Sequence, residues 1–329
     1  MNTIVLQLAA IAALHWNPQI SNTTASLRGL RVVSPQIVWA SGTQGTFLKT
    51  TDGGEHWQSG TVAGAEGLDF RDVEAFDADT AYLLASGEGT NSRVYKTTDG
   101  GVHWELLLTN PDAKGFFDDL AFGDARHGIL LGDSVAAHLT IFTTADGGET
   151  WQRRQMPLAL DDEGAFAASG TSLVMQGTND AWFATGGPAG ARVFVTHDGG
   201  RTWNISKAPL GGTKSSGIFS LAFADQNHGI AVGGDYKNPQ AMDHTAAVTH
   251  NGGKTWKPAT GLSYRSGVAF LGIGTYIAVG TSGSDISRDE GKTWQHFADV
   301  NLNAVASSGD AVWSVGPKGM IVKLAGQAQ

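Results

Sequence analysis

The sequence contains no cysteine, which excludes disulfides, thiolate metal sites and cysteine nucleophiles from the start. Charge is also scarce: 16% of residues are Asp, Glu, Lys or Arg, against about 25% in an ordinary globular chain. Positive charge is scarcer still, with 22 Lys and Arg against 31 Asp and Glu, a formal balance of −9. Duplex recognition relies on cations that neutralise phosphates, and the adjacent pair Arg153 and Arg154 makes no basic face. Nucleic acid is therefore set aside. Long apolar runs are missing as well. The run 4–14 (IVLQLAAIAAL) has 11 residues, short of the roughly 20 that a membrane-spanning helix needs. It has the length of an export-signal core, and Ala10-Ile11-Ala12 has the small-x-small form of a cleavage site. The basic start of such a signal is absent, the first charge being Arg28. We read 1–13 as a truncated signal segment and 14–329 as one domain, periplasmic or secreted.

What is abundant is glycine, 45 of 329 residues, together with ten tryptophans. That combination suits many short strands joined by tight turns. An octet recurs through the chain: TTDGGEHW from Thr50, TTDGGVHW from Thr97, TADGGETW from Thr144, THDGGRTW from Thr196, THNGGKTW from Thr249 and SRDEGKTW from Ser287. The spacings of 47, 47, 52, 53 and 38 residues are those of four-stranded propeller blades. Ahead of each octet lie further strand-like runs, including first strands at 27–33, 70–76, 117–122 and 219–223. Six octets predict six blades. The C-terminal runs 303–306, 312–315 and 320–324 supply three strands of a seventh. His15-Trp16 mimics the octet endings His56-Trp57 and His103-Trp104. The N-terminal strand is thus predicted to complete blade seven and close the ring, hiding its open edges. The expected fold is an all-β, seven-bladed propeller.

The octet has a structural logic. Asp-Gly and Gly-Gly accept the positive φ of a tight turn, and the Asp carboxylate can close the turn by accepting backbone N–H bonds. The Trp offers an apolar face to a neighbouring sheet. The octet resembles the Asp-box, or BNR repeat, Ser/Thr-x-Asp-x-Gly-x-Thr-Trp. The matching positions are Asp52, Asp99, Asp146, Asp198 and Asp289, with Asn251 in place of the acid, and Trp57, Trp104, Trp151, Trp203, Trp256 and Trp294. The last copy also reads Glu290-Gly291 where the others have Gly-Gly. Sialidases, xyloglucan-cleaving endoglucanases, sortilin-type receptors and photosystem II stability and assembly factor-like propellers carry this repeat. The blade count and strand pattern look most like the last group. That resemblance implies a periplasmic or lumenal scaffold that binds a protein partner, and it does not imply photosynthesis. In such families the box lies on the outer rim, so it speaks for fold and hardly for function.

The sialidase signature Phe/Tyr-Arg-Ile-Pro is absent, the nearest strings being Tyr264-Arg265-Ser266-Gly267 and Phe70-Arg71-Asp72-Val73. Arg28, Arg71 and Arg265 each sit near the start of a first strand, in blades one, two and six. They are predicted to converge at one channel mouth, where they would bind an anionic group of a partner. Glycoside hydrolysis would need two carboxylates across a cleft. The candidates are Asp69, Asp72, Asp118, Asp119, Asp133 and Asp235, with Asp118 and Asp119 foremost. Most of the ten histidines fall at repeat positions: His127 and His228 in matching turns, and His56, His103, His197 and His250 in octets. Asp243-His244 alone is not a metal site, and no metal is expected. No Gly-rich string opens a helix as a nucleotide loop would, and no cofactor is expected. Two long connections, 157–164 with Asp161-Asp162-Glu163 and 235–244 with Tyr236, Pro239 and Met242, offer loop surface to a partner. The expected function is a monomeric, non-catalytic binding or assembly scaffold. Its partner would be a protein at the channel mouth, within a membrane-associated complex. A glycan-active hydrolase using the channel carboxylates is the alternative.

Overall fold

The computed structural model describes residues 13–326, so the proposed signal segment lies almost wholly outside the described residues. Within them the chain forms seven four-stranded antiparallel sheets. The inner strands are Leu27–Val32, Phe70–Ala75, Phe117–Phe122, Leu173–Gln176, Ser216–Phe223, Gly267–Gly272 and Ala304–Ser308. Each lies against the inner strand of the next blade, and the last lies against the first. In blade 7 the order runs Ala304–Ser308, Ala311–Val315, Ile321–Ala325 and then His15–Gln19. The N-terminal strand pairs in register, Trp16 with Leu324 and Pro18 with Val322. Pro18 is tolerated because this is an outer strand, whose far edge needs no donor.

The core lies between blades rather than inside any one of them. One cluster joins Leu27, Val38 and Leu48 of blade 1 to Ala304, Trp313 and Ile321 of blade 7. Second strands such as Val38–Gly42 and Ala81–Ala85 are buried throughout, whereas outer strands such as Gln58–Thr61 are largely exposed. The blade 4 inner strand, Leu173–Gln176, is short and follows a long insertion. In blade 5 the inner strand begins at Ser216, ahead of the predicted 219.

The octets adopt one geometry. Thr50 Oγ1 donates to Asp52 Oδ1 at 2.8 Å and accepts the Gly54 N–H at 3.0 Å, while Asp52 Oδ1 also accepts the His56 N–H at 3.0 Å. Asn251 keeps the pattern with its amide: Oδ1 accepts the Thr255 N–H at 3.0 Å and Nδ2 donates to Thr255 Oγ1 at 2.8 Å. Glu290 takes the place of glycine at φ 62. Each octet also packs on the preceding blade, as Trp57 does edge-on against Trp313 at 5.5 Å. Side chains of that preceding blade reach back to the first glycine carbonyl of the octet. Lys323 bonds Gly53 O at 3.0 Å, Lys49 bonds Gly100 O at 3.0 Å, and Trp182 bonds Gly252 O at 2.9 Å. The carbonyl of Gly147 receives both Tyr82 Oη, at 2.8 Å, and Lys96, at 3.3 Å.

The second octet glycine is needed for close approach as well as for its φ. A Cβ on Gly54, at φ +92, would lie 2.2 Å from the Trp313 ring, whereas one on Gly64, at φ +76, would meet nothing within 4 Å. Gly54→Ala is expected to cost about 2–4 kcal/mol in urea denaturation, from overpacking plus strain. Gly64→Ala should cost about 1 kcal/mol from strain alone. Equal losses in the two variants would contradict the inter-blade role.

Candidate functional site

Four inner strands carry the same irregularity. Between Leu27 and Gly29, Phe70 and Asp72, Phe117 and Asp119, and Ile218 and Ser220, the register against the second strand slips by one residue. A bulge of this kind re-aims the extra side chain. The extra residues are Arg28, Arg71, Asp118 and Phe219, and all four line one cavity of about 490 Å³ that draws residues from several blades around the ring.

The residue after each bulge points along the ring instead, toward the next blade. Asp72 Oδ2 accepts the Leu120 N–H at 2.9 Å. Asp119 Oδ2 accepts three bonds, from Ser172 N–H (2.6 Å), Ser172 Oγ (2.8 Å) and Leu173 N–H (3.0 Å). Ser220 Oγ shares a bond with Thr171 Oγ1 at 2.6 Å and accepts the Val268 N–H at 3.0 Å. Ser266 Oγ donates to Asn303 O, and Asn303 Nδ2 donates to Leu27 O, both at 2.7 Å. In blade 1 the corresponding residue is Gly29, where a Cβ would lie 2.2 Å from Ser41 Oγ. That hydroxyl donates to Phe70 O at 3.1 Å. Every junction of the ring is thus bridged by a side chain. Asp72 and Asp119, candidates for hydrolysis in the sequence, are committed to this hoop and are absent from the cavity lining.

At the mouth, Arg71 Nε donates to Asp69 Oδ2 at 2.8 Å, and its guanidinium lies 5.8 Å from the Phe116 ring centre. Arg28 is half-buried with Nε unpartnered. Burial and the neighbouring Arg71 charge pull its pKa below the usual arginine range. Asp118 is buried with Oδ2 unpartnered, and burial together with the charge of Asp133 pushes its pKa well up. Asp133, whose Oδ1 accepts the Ala165 N–H at 3.2 Å, is pushed up to about 6 by burial. The remaining wall is aromatic. Phe166 stacks on Phe219 with centroids 3.9 Å apart, and Tyr264 and Tyr236 meet Phe219 edge-on at 5.0 and 6.2 Å.

The structure separates Arg265 from the other two arginines. It is 2% exposed and ion-paired with Asp285, Nε donating to Oδ2 at 2.5 Å. Its Nη1 donates to Tyr264 O (2.7 Å) and Ser282 Oγ (2.8 Å). Blade 6 lacks the bulge at this point, since Gly267 pairs directly with Val279. Tyr264 and Ser266 therefore face the cavity and Arg265 does not. Asp235 also lies off the cavity, capping its own loop by accepting from Thr213 Oγ1 (2.9 Å), Ser215 Oγ (2.7 Å) and the Lys237 N–H (2.9 Å). Tyr236, on the same loop, is 49% exposed and does line the cavity, while Met242, six residues further along the loop, is 57% exposed and is absent from the lining. The other long connection is pinned by buried Glu163, which accepts from Arg192 Nε at 2.7 Å and Thr185 Oγ1 at 2.6 Å. That anchor sets Ala165–Ala168 into the cavity wall. Phe116, Phe166, Phe219 and Tyr264 were not foreseen. Aligning the inner strands on their first apolar residue would have exposed the bulge column Arg28, Arg71, Asp118 and Phe219. On the outer rim Asp52, Glu55 and His56 bring ligand-type atoms within 4.8 Å of one another, all exposed. The Asp52 carboxylate is already engaged in its turn.

Fold and site together define an Asp-box seven-bladed propeller whose channel mouth is lined by arginine, carboxyl and aromatic groups. Residues 110–205 match a family model described as photosynthesis system II assembly factor YCF48, and the chain is similar to that group. Among solved structures, one described as YCF48 bound to D1 peptide superposes with a TM-score of 0.67 at 17% identity, covering 97% of this chain and 99% of that one. YCF48 from Cyanidioschyzon merolae gives 0.66 at 18%, covering 95% and 98%. A virginiamycin B lyase from Staphylococcus aureus gives 0.69 at 11%, covering 95% and 99%. At these identities the likeness is one of fold. No curated protein matches the sequence.

The carboxyl groups fall into two opposed sets, and the sign of each fixes a pH profile. Burial raises Asp119 to about 6 and Glu74 to about 7, so the folded state holds their protons while the unfolded state releases them near pH 4. Stability should rise as pH falls from about 8 to about 5. In the octets, the His103 N–H lowers Asp99 to about 2 and the Thr150 hydroxyl lowers Asp146 to about 2. Their contribution is present above pH 4 and is lost as pH falls toward 2. Urea midpoints followed by tryptophan fluorescence should therefore peak in mild acid. A midpoint that climbs steadily from pH 5 to 8 would refute the assignment.

Proposed function

We propose that this protein is a binding or assembly scaffold outside the cytoplasm, holding a segment of a protein partner at the channel mouth. The observation that carries this reading is the pair Arg28 and Arg71 at the mouth, with Arg28 Nε unpartnered and aromatic rings around it. An unpaired, half-buried guanidinium recognises an anionic group bidentately, and rings such as Tyr236 and Phe219 suit the apolar part of a peptide. The similarity to a propeller family whose member is described as bound to D1 peptide supports a peptide occupant. The apolar run 4–14 and the absence of cysteine are compatible with export.

Placing a photo-crosslinking residue at Tyr236 should trap a discrete partner from membrane extracts of the source cells. The Arg28→Ala/Arg71→Ala variant should lower that yield at least tenfold without changing the melting temperature. Equal capture by the two proteins would sink the reading.

One observation favours glycoside hydrolysis as a second reading. Asp118 and Asp133 line the same cavity, and burial favours their protonated forms, as a general acid requires. Reducing-sugar release from plant, bacterial or sialylated glycans, abolished by Asp118→Asn, would establish it. No release from any of them would leave the scaffold reading alone.

A further inference from the structure

The junction between blades 3 and 4, on the octet face of the ring, departs from its neighbours. At three other junctions an aromatic residue on the second strand and a lysine paired with it on the third fill the space against the next octet. These pairs are Trp39 with Lys49, Tyr82 with Lys96, and Trp313 with Lys323. Each lysine lies 4.9 to 5.5 Å over its ring and donates to the octet carbonyl of the following blade. Trp182 does the same for blade 5. In blade 3 the corresponding pair is Ile129 and Thr143, too short to reach. The junction between blades 5 and 6 has a similar aliphatic pair, Ile230 and Val248, but buried Tyr276 of blade 6 packs into the same cluster, and the cavity left there is smaller, about 340 Å³. At the matching position blade 4 has Ala181, paired with Thr196 as Tyr276 is with Ser287. Nothing replaces the missing bulk, and a cavity of about 600 Å³ opens there, lined by Ile129, Thr143 and Gly199 among others.

The walls of this cavity have a definite chemistry. Two carboxylates, Asp146 and Asp198, stay ionised because their turns feed them hydrogen bonds, and both line it. Two guanidinium groups balance them. Arg154 Nε donates to Thr143 Oγ1 at 2.8 Å, and the Arg201 guanidinium has no hydrogen bond or ion pair among the described residues. Asn179 and Gln152 add neutral donors and acceptors, and the lining also includes part of Trp151. A net anion would face two fixed carboxylates, and a net cation would face two guanidinium groups. A neutral guest rich in hydroxyls satisfies both kinds of group and can lay an apolar face on the indole. The volume lies within the range of small-ligand sites.

We propose that the cleft between blades 3 and 4 is a binding site for a neutral oligosaccharide, separate from the channel mouth. The test is saturation-transfer NMR and titration calorimetry on the full chain with three probes: cellotetraose, chitotetraose and mannotetraose. Wild type should bind at least one of them. Arg201→Ala, an exposed change that leaves the fold alone, should weaken that binding at least tenfold. The double variant Ile129→Trp/Thr143→Lys, which rebuilds the filled junction of the neighbouring blades, should abolish it with no loss of melting temperature. Arg28→Ala/Arg71→Ala should leave it unchanged, so that failure here and failure at the channel mouth are read separately. Absence of binding to all three probes would overturn the proposal. So would undiminished binding by Arg201→Ala or by a folded Ile129→Trp/Thr143→Lys protein.

Discussion

The structure depends on a hoop of hydrogen bonds that passes from blade to blade around the channel. A propeller has no central core; its inner strands meet at an axis where backbone groups would otherwise face one another unpaired. Side chains that follow the inner-strand bulges close that gap. Asp72, Asp119 and Ser220 reach the next blade's amides, and Asn303 reaches across the closure to Leu27. Burying carboxyl groups there carries a cost, visible in the raised pKa values of Asp72 and Asp119. It is offset because each oxygen that accepts a buried N–H spares a backbone donor the larger penalty of being left alone.

The same bulges create the candidate site. Adding one residue to an inner strand turns one side chain into the channel and the next along the ring. Channel-facing residues and the positions that face the next blade therefore alternate along a few residues: Arg28 before Gly29, Arg71 before Asp72, Asp118 before Asp119. The scaffold and the mouth are positioned by one local device, and the geometry of the mouth inherits the rigidity of the ring. At the outer rim the octets do the complementary work. They tie blades 1 to 6 to their predecessors through a glycine and a tryptophan, and blades 1, 2, 3 and 5 through a carbonyl as well. Where the partner residues shrink, at Ile129 and Thr143, that face opens into a cavity of about 600 Å³, against about 340 Å³ at the junction between blades 5 and 6.

The repeat unit was legible in the sequence because turns impose residue identity. Positive φ and a closed polar loop permit few substitutes, so Asp-Gly-Gly recurs in four blades and returns as Asn-Gly-Gly and Asp-Glu-Gly in two more, even as strands drift. The closing strand was legible for a related reason: His15-Trp16 preserves an octet ending where no octet precedes it. The mouth was legible only in part. Arg28 and Arg71 were found, whereas Arg265, equally near a strand start, proved to be a buried partner of Asp285. The difference is the missing bulge in blade 6, and a bulge leaves no fixed residue signature. The wall residues Phe166 and Tyr264 come from segments without repeat periodicity, placed by anchors such as Glu163 to Arg192 that link positions distant in sequence.

The chain by itself thus determined blade number, strand order, ring closure and the turn chemistry of the outer rim, because each follows from constraints acting over a few neighbouring residues. Tertiary structure decided which carboxyl groups serve the hoop and which face the channel, which arginines reach the channel mouth, and which inter-blade space stays widest. Those outcomes depend on one-residue shifts in register and on side-chain volume across a junction. Both are properties of two blades in contact, and neither is written in one blade alone.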